Sequence, residues 1–401
     1  QNIIPSVHNL KSSKKIKYVF YLIKENRTYD QVFGDLPRGN GDSSLCLFGE
    51  KISPNEHKLA LDFTLYDNFY TDAEVSADGH NWSTAAYETD YVRKLWPVSY
   101  GHRGQKYTFE GGTPAATPSS GYIWNNVLNH HKTFRNYGEF VGWKKNKNGN
   151  YKARDKDMRP YTDKKYAGFN LSVSDLTRYK VWVKDFDRLL KTNSVPNFNL
   201  IRLPNDHGWG TRAGRLTPRA YVAQNDYAFG LIVDKISHSK IWKNSIIFVV
   251  EDDAQNGPDH VDAHRSLLFV IGPYVKRNFL DHTMYSTSSV LKTIELILGL
   301  PPMTQFDLSA TPILFSITNK PDYTPYNVVS PLFNIHKKNS PDAYGAKQSA
   351  EWNFVKADRV PDVEYNEIIW KSVKGKNSVM PAPVRSAFVN VHSKNEKDDK
   401  D

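Results

Sequence analysis

The chain has 401 residues, 39% hydrophobic, 24% charged and 13% aromatic, which excludes disorder throughout and suits one large domain or two small ones. No run approaches the roughly 18 apolar residues of a membrane span, and the single cysteine, Cys46, excludes an internal disulfide and a cysteine-built zinc site. With 53 Lys and Arg against 43 Asp and Glu, the net charge of +10 favours anionic partners (nucleic acid, anionic lipid or phosphorylated small molecules) without choosing among them.

Residues Gln1–Lys14 are polar and aperiodic and are expected to form an arm. The chain opens at Gln1 rather than Met, which fits either an exported protein after signal-peptide removal or a trimmed chain; export is favoured, so a periplasmic or secreted location is expected. Lys17–Ile23 (KYVFYLI) is a nearly continuous apolar run rich in β-formers, as in a parallel strand buried on both faces. From about Ser99 to Thr177 Gly, Pro, Asn, Lys and Tyr predominate, with a basic run at Lys144–Lys156; this stretch is expected to be an insertion or lid over the sheet. Phe198–Leu203 is a second apolar run. Thr217-Pro218 opens a helix, with Thr as N-cap and Pro at the first helical position, and Val222, Leu231, Ile232 and Ile236 supply its buried face. Ile246–Val250 (IIFVV) and Leu267–Ile271 (LLFVI) are further strands, and Ser288–Leu298 is a helix stopped by Gly299 and Pro301-Pro302.

This alternation predicts an α/β domain over Lys15–Lys320 with a largely parallel central sheet flanked by helices. Pro321–Lys394, polar and Pro-punctuated, is expected to wrap the same domain, and Asn395–Asp401 is a charged tail.

Carboxylates and histidines gather directly after the predicted strands. Lys17–Ile23 runs into Glu25-Asn26-Arg27, Phe198–Leu203 into Asp206-His207, and Ile246–Val250 into Glu251-Asp252-Asp253, followed by Asp259-His260 and His264-Arg265. In an open parallel sheet, ligands bind beyond the carboxyl ends of the strands. Adjacent acids such as Asp252-Asp253 repel unless a cation neutralises them. Any one of these residues is more often a structural turn or cap; three such loops on one edge point to a divalent metal site. Thr71–Tyr87 offers a nucleophile, Ser76, with His80 four residues on and Ala-rich helical sequence beyond Ser83. A hydroxyl near a helix N-terminus meets a dipole that favours phosphate, and metal coordination would activate it. Thr71, Ser83 and Thr84 compete for that role on spacing alone.

Three segments carry a family resemblance. Tyr18–Gly34 (YVFYLIKENRTYDQVFG) resembles the opening signature of the phosphoesterase family that contains bacterial phospholipases C and acid phosphatases, within the alkaline phosphatase superfamily. Ser239–Tyr274 is similar in its EDD, DHV and GPY sequences, and Asp67–Trp82 resembles the segment bearing the family's nucleophile. The likeness covers about Lys17–Pro312 and is closest to phosphoesterase domains sometimes fused to a β-propeller; no propeller is expected within these 401 residues. It implies an alkaline-phosphatase-like fold and a metal-dependent phosphoester hydrolase.

Residue by residue, the resemblance implies Glu25, Asn26, Asp252 and Asp253 as metal ligands, Asp206 as a further ligand or phosphate contact, and Ser76 as the phosphorylated residue. His260 and His264 become candidates for a second metal or the leaving-group acid, His207 stands with Asp206 as a ligand or phosphate contact, His80 is a further catalytic candidate, and Asn81 or Arg265 would help to neutralise the phosphoryl charge. Histidine is scarcer than in two-zinc members, which leaves open one ion or two; the oxygen-rich set admits Zn, Mn, Mg or Ca.

The expected activity is that of a phosphatase on phosphomonoesters, with a phosphodiesterase or phospholipase C acting on a lipid as the alternative. No Cys/Ser-x-Pro-x-Arg sequence for a sulfatase is present. A nucleic-acid-binding protein is the non-enzyme reading, but the basic residues are scattered without a binding motif, so a phosphorylated small molecule or lipid is the expected partner. A protein whose acids hold one structural Ca²⁺ is the remaining alternative.

Overall fold

The first apolar run becomes β1 (Tyr18–Lys24), buried from Val19 to Lys24 as a strand covered on both faces must be. The computed structural model describes residues 3–6, 11–101, 103–104, 108–354 and 360–385, so the charged tail Asn395–Asp401 lies outside the described residues. Along the chain follow β2 (Thr64–Tyr66), β3 (Phe69–Tyr70), β4 (Phe134–Tyr137), β5 (Phe198–Arg202), β6 (Ser245–Glu251), β7 (Leu268–Ile271), β8 (Phe279–Asp281) and β9 (Tyr285–Ser286).

The central sheet has the order β4-β5-β1-β6-β7, while β2 pairs with β8 and β3 with β9. β4, β5, β1 and β6 run parallel, and β7 lies antiparallel on β6 at the edge. The register pairs Ile23 with Arg202 and Lys24 with Glu251, so β5, β1 and β6 end level with one another. Helices flank this sheet in the α/β arrangement expected from the alternation. Phe20 of β1 meets Phe186 of helix Asp175–Lys191 edge to face at 5.9 Å, and that helix packs on Pro218–Ser237. A second group joins Ser76–Ala85 to Thr287–Leu298. Among the described residues no helix is long and apolar enough to cross a membrane.

Two regions differ from the sequence reading. The stretch expected as a lid supplies part of the sheet itself, since β4 pairs with β5 in parallel; its sequence, FRNY, carries two polar residues and conceals the strand. Helix Asp175–Lys191 is not among the predicted elements, because its buried Trp182, Phe186 and Leu189 are diluted by charged residues on the outer face.

The C-terminal part of the chain closes onto the loops at the strand ends. From helix Asp362–Lys374, Asn366 Nδ2 donates to the Gln255 carbonyl at 2.6 Å, and the Tyr365 hydroxyl donates to the His207 carbonyl. Farther on, the Ala263 N–H donates to the Val384 carbonyl at 2.6 Å, and Arg385 pairs with Glu74 at 2.8 Å.

Asp362, at the start of that helix, accepts from Gln255 Nε2 at 3.3 Å, and burial pushes its carboxyl up to about 7. As pH rises from the ordinary carboxylate range to that value, only the unfolded chain ionises, so stability falls across this window and is level above it. Asp362→Asn is therefore expected to leave the melting temperature unchanged near pH 4 and to raise it at about pH 8. Thermal unfolding at the two pH values checks this, and a lower melting temperature at the higher pH would refute it.

Candidate active site

Past the end of β1 the chain turns at Asn26, which takes a left-handed φ of 68°. The turn aims Glu25 and Asn26 toward Asp252 and Asp253, which follow β6. Across from them starts helix Ser76–Ala85, every residue of which is buried. Its entry is tied by Asp78, whose carboxylate accepts the N–H groups of Val75 at 3.0 Å and Glu74 at 3.2 Å. Burial, then the charge of Glu88, pushes the Asp78 carboxyl up to about 7. Gly79 lets this helix lie against the β6 loop: a Cβ there would stand 2.7 Å from the Asp252 carbonyl oxygen.

The result is a convergence of oxygens. Ser76 Oγ donates to Asp253 Oδ2 at 2.8 Å and lies 3.2 Å from Asn26 Oδ1. The same end of the Asn26 amide stands 2.9 Å from Asp252 Oδ1 and 3.3 Å from Asp253 Oδ2. Turned one way, the Asn26 NH₂ group satisfies all three oxygens; turned the other, oxygens of Asn26, Ser76, Asp252 and Asp253 face one another, an arrangement that a cation would balance.

Two further observations favour a cation. Glu25 Oε2 is buried without a hydrogen-bond partner, and Asp252 Oδ2, also without one, has the His80 ring at 3.4 Å. Burial, then Glu25 and Asp253, lift the Asp252 carboxyl well above its usual range. A hard divalent ion removes that conflict, and the donor set is of the kind Mg, Mn, Ca or Zn accepts. Glu25, Asn26, Asp252, Asp253 and Ser76 thus fit a metal ion, with Ser76 Oγ in position to be activated by it.

His80 occupies the other side of Asp252. Its Nδ1 is 2.9 Å from Glu139 Oε1, and its Nε2 is 3.2 Å from Glu25 Oε1 and 3.4 Å from Asp252 Oδ2. Burial and Arg202 pull its pKa down, but Glu139 and Asp252 outweigh them and leave it well above the ordinary value. Arg202, the last residue of β5, grips Glu25 Oε1 through Nε at 2.9 Å and Nη2 at 2.6 Å, and Glu110 Oε1 through Nη1 at 2.9 Å. Although burial raises the Glu25 carboxyl, Arg202 and then His80 bring it down to about 2. Arg202, Glu110 and Glu139 were not legible as site residues. Arg202 ends an apolar strand, and the two glutamates belong to the stretch read as a lid; a charged residue closing an otherwise apolar run was the available signal.

The remaining candidates are placed elsewhere. Asp206, expected as a ligand, faces Lys24 Nζ at 3.2 Å and accepts the Glu25 N–H at 3.2 Å and Asn225 Nδ2 at 3.3 Å. Beneath the strand ends, Lys24 is shared among Asp206, Glu56 at 2.5 Å and Glu251 at 2.9 Å. Asp206 thus braces the Glu25 backbone. His207 is held among rings, stacked on Tyr365 at 5.5 Å and edge-on to Phe169 at 5.6 Å; burial keeps its pKa below the ordinary value despite the Glu25 charge.

His260 bridges Asp30 at 2.6 Å and Asn40 at 3.1 Å. Arg265, expected at the phosphate, is fully buried and spends its nitrogens on Asp259, Asp30 and the carbonyls of Asn40 and Asp67. Asn81, also expected there, donates instead to the Ala77 carbonyl at 2.9 Å and the Phe109 carbonyl at 3.1 Å. His264 stands at the rim, on Asp262 at 2.7 Å and Glu74 at 3.2 Å, and Glu74 is the leading cause of its raised pKa.

The sequence model of the Phosphoesterase family matches residues 38–301, well over half of the chain, and the protein belongs to that family. The match spans Ser76 and the acids after β6, while Glu25 and Asn26 precede it. Family membership makes the protein a hydrolase acting on phosphoesters.

Among solved structures, a Vibrio parahaemolyticus protein of the alkaline phosphatase superfamily is 17% identical, with a TM-score of 0.48 over 76% of this chain and 72% of that one. Human ectonucleotide pyrophosphatase/phosphodiesterase 5 is 10% identical, with a TM-score of 0.47 over 77% of this chain and 100% of that one. The PsFucS1 sulfatase of Pseudoalteromonas sp. is 12% identical, with a TM-score of 0.48 over 77% and 73%. No curated protein matches the chain.

Because Gly79 sets the spacing between the Ser76 helix and the Asp252 backbone, Gly79→Ala is expected to lower the turnover of a phosphoester substrate at least about tenfold by misplacing the hydroxyl. Turnover measured beside the far-ultraviolet circular dichroism spectrum checks this; unchanged turnover would show that the close approach does not position Ser76.

Proposed function

We propose that the protein hydrolyses phosphoesters with a bound divalent metal ion and Ser76 as nucleophile. The observation that carries this reading is the Ser76 hydroxyl, placed 2.8 Å from Asp253 Oδ2 at the start of a buried helix and beside the converging oxygens of Asn26 and Asp252. Glu25, Asn26, Asp252, Asp253 and Ser76 would hold the ion. Bound there, the ion supplies Lewis-acid polarisation of a phosphoryl oxygen and lowers the pKa of the coordinated hydroxyl.

Asp253 holds the Ser76 hydroxyl by its proton, so Oγ keeps a lone pair free for in-line attack on phosphorus. The P–O bond to the leaving alcohol breaks as the seryl ester forms, and water then returns Ser76 and releases phosphate. The helix start contributes its positive dipole to the phosphoryl charge. Glu139 orients His80 from behind, and Arg202 fixes Glu25.

Ser76 is 1% exposed. This enclosure supports a phosphomonoester, whose small terminal phosphoryl group enters more readily than the flanked phosphorus of a diester or phospholipid. Protein stripped of metal and re-supplied in turn with Zn, Mn, Mg and Ca is expected to recover hydrolysis of p-nitrophenyl phosphate in preference to its bis-ester. Ser76→Ala is expected to cost at least about a thousandfold in turnover while keeping the melting temperature. A Ser76→Ala protein near the wild-type rate would overturn the assignment of the nucleophile.

A further inference from the structure

We infer that the protein binds a small molecule carrying a diphosphate group in a cationic cavity between the start of helix Pro218–Ser237 and the C-terminal part of the chain. This site shares no residue with the oxygens around Ser76, and the inference holds whether or not Ser76 is the nucleophile. The cavity has a volume of about 440 Å³, within the roughly 300–1,000 Å³ of small-molecule sites. Arg219, Lys337, Lys338 and Lys371 line it, and among the described residues no acidic side chain does. Glu367, bound to Lys371 at 2.5 Å, and Asp342, bonded to Ser340, stand outside the lining.

The positive charge here is held in place. Arg219 Nε is buried without a hydrogen-bond partner, a costly state for a side chain that keeps its proton. Its Nη2 reaches the Val373 carbonyl at a long 3.4 Å. Opposite Arg219 the lysine segment is pinned by its backbone. The Thr217 N–H donates to the Lys337 carbonyl at 2.9 Å, the Asn339 N–H to the Arg215 carbonyl at 2.8 Å, and Asn339 Nδ2 to the Leu216 carbonyl at 2.9 Å. Lys337 and Lys338 therefore cannot retreat from the helix start, and an anion between them and Arg219 would offset their repulsion.

The helix start adds to this. Thr217 Oγ1 caps the Ala220 N–H at 3.2 Å, which leaves the Arg219 N–H without an intrahelical partner at the positive end of the dipole. Ammonium, guanidinium and helix-start N–H are the donors that bind phosphate oxygens. Of the four cations, Lys371 is answered by Glu367 and three remain. One phosphate group carries a charge of about −1.5 to −2 near pH 7, so a single group leaves charge over and a diphosphate balances it.

Titration calorimetry with pyrophosphate, ADP and orthophosphate tests this on protein stripped of metal and dialysed free of chelator. Pyrophosphate and ADP are expected to bind the wild type at least about tenfold more tightly than orthophosphate. Loss of one charged contact in Lys338→Ala or Arg219→Gln is expected to weaken both at least about tenfold, while Ser76→Ala binds as the wild type does. Tighter binding of ADP supports an organic diphosphate as the ligand, and tighter binding of pyrophosphate the free ion. No binding to the wild type, undiminished binding to Lys338→Ala, or loss of binding in Ser76→Ala would overturn the inference. Should Arg219→Gln not fold, Lys338→Ala, at an exposed position, still decides. None of these outcomes bears on the nucleophile, which turnover of Ser76→Ala judges separately.

Discussion

Carboxylates crowd together beyond β1 and β6, out of reach of water, and the surrounding structure answers to their repulsion. Lys24 neutralises the layer below, shared among Glu56, Asp206 and Glu251. Arg202 neutralises one flank through Glu25 and Glu110. Asn26, Asp252 and Asp253 lie together with the Ser76 hydroxyl against them, and there the proposed ion would balance the negative charge. Uncompensated charge in a protein interior is too costly to persist, so the arrangement of permanent cations decides where an exchangeable one can go.

That balance depends on accurate spacing, which comes from backbone contacts. The parallel register sets the ends of β5, β1 and β6 level, so residues distant in sequence begin their loops side by side. A glycine brings the Ser76 helix onto the Asp252 carbonyl, and Asp78 stitches the helix entry to the preceding loop. The hydroxyl and the acids are thereby positioned against a common piece of main chain. A shift of β6 would carry both partners with it, and their separation would change little.

The sheet and the acids after its strands were readable because each apolar run is short, rich in β-formers and followed at once by charged residues. The placement of Glu25, Asn26, Ser76, Asp252 and Asp253 beside one another accords with that pattern. Other parts of the site were hidden for physical reasons. Arg202 looks like the polar end of a strand until the register shows it beside Ile23 at the sheet edge. Glu110 and Glu139 come from a stretch whose composition suggests solvated loops, yet both carboxyls are buried. Conversely, Asn81 and Arg265 have the right chemistry for phosphate, but their donors are already spent on carbonyls and acids. Sequence reports which groups are present; competition for those groups is settled only in three dimensions.

The segment around Val384 and Arg385 joins the rim of the site at Ala263 and Glu74 without contributing to the sheet or to the oxygens around Ser76. Part of the rim is therefore supplied from far along the chain, while Glu74 and Ala263 belong to the loops that carry the site. Substitutions near residue 385 can reshape what is admitted while leaving the reacting groups untouched, whereas the loops after β1 and β6 have no such freedom.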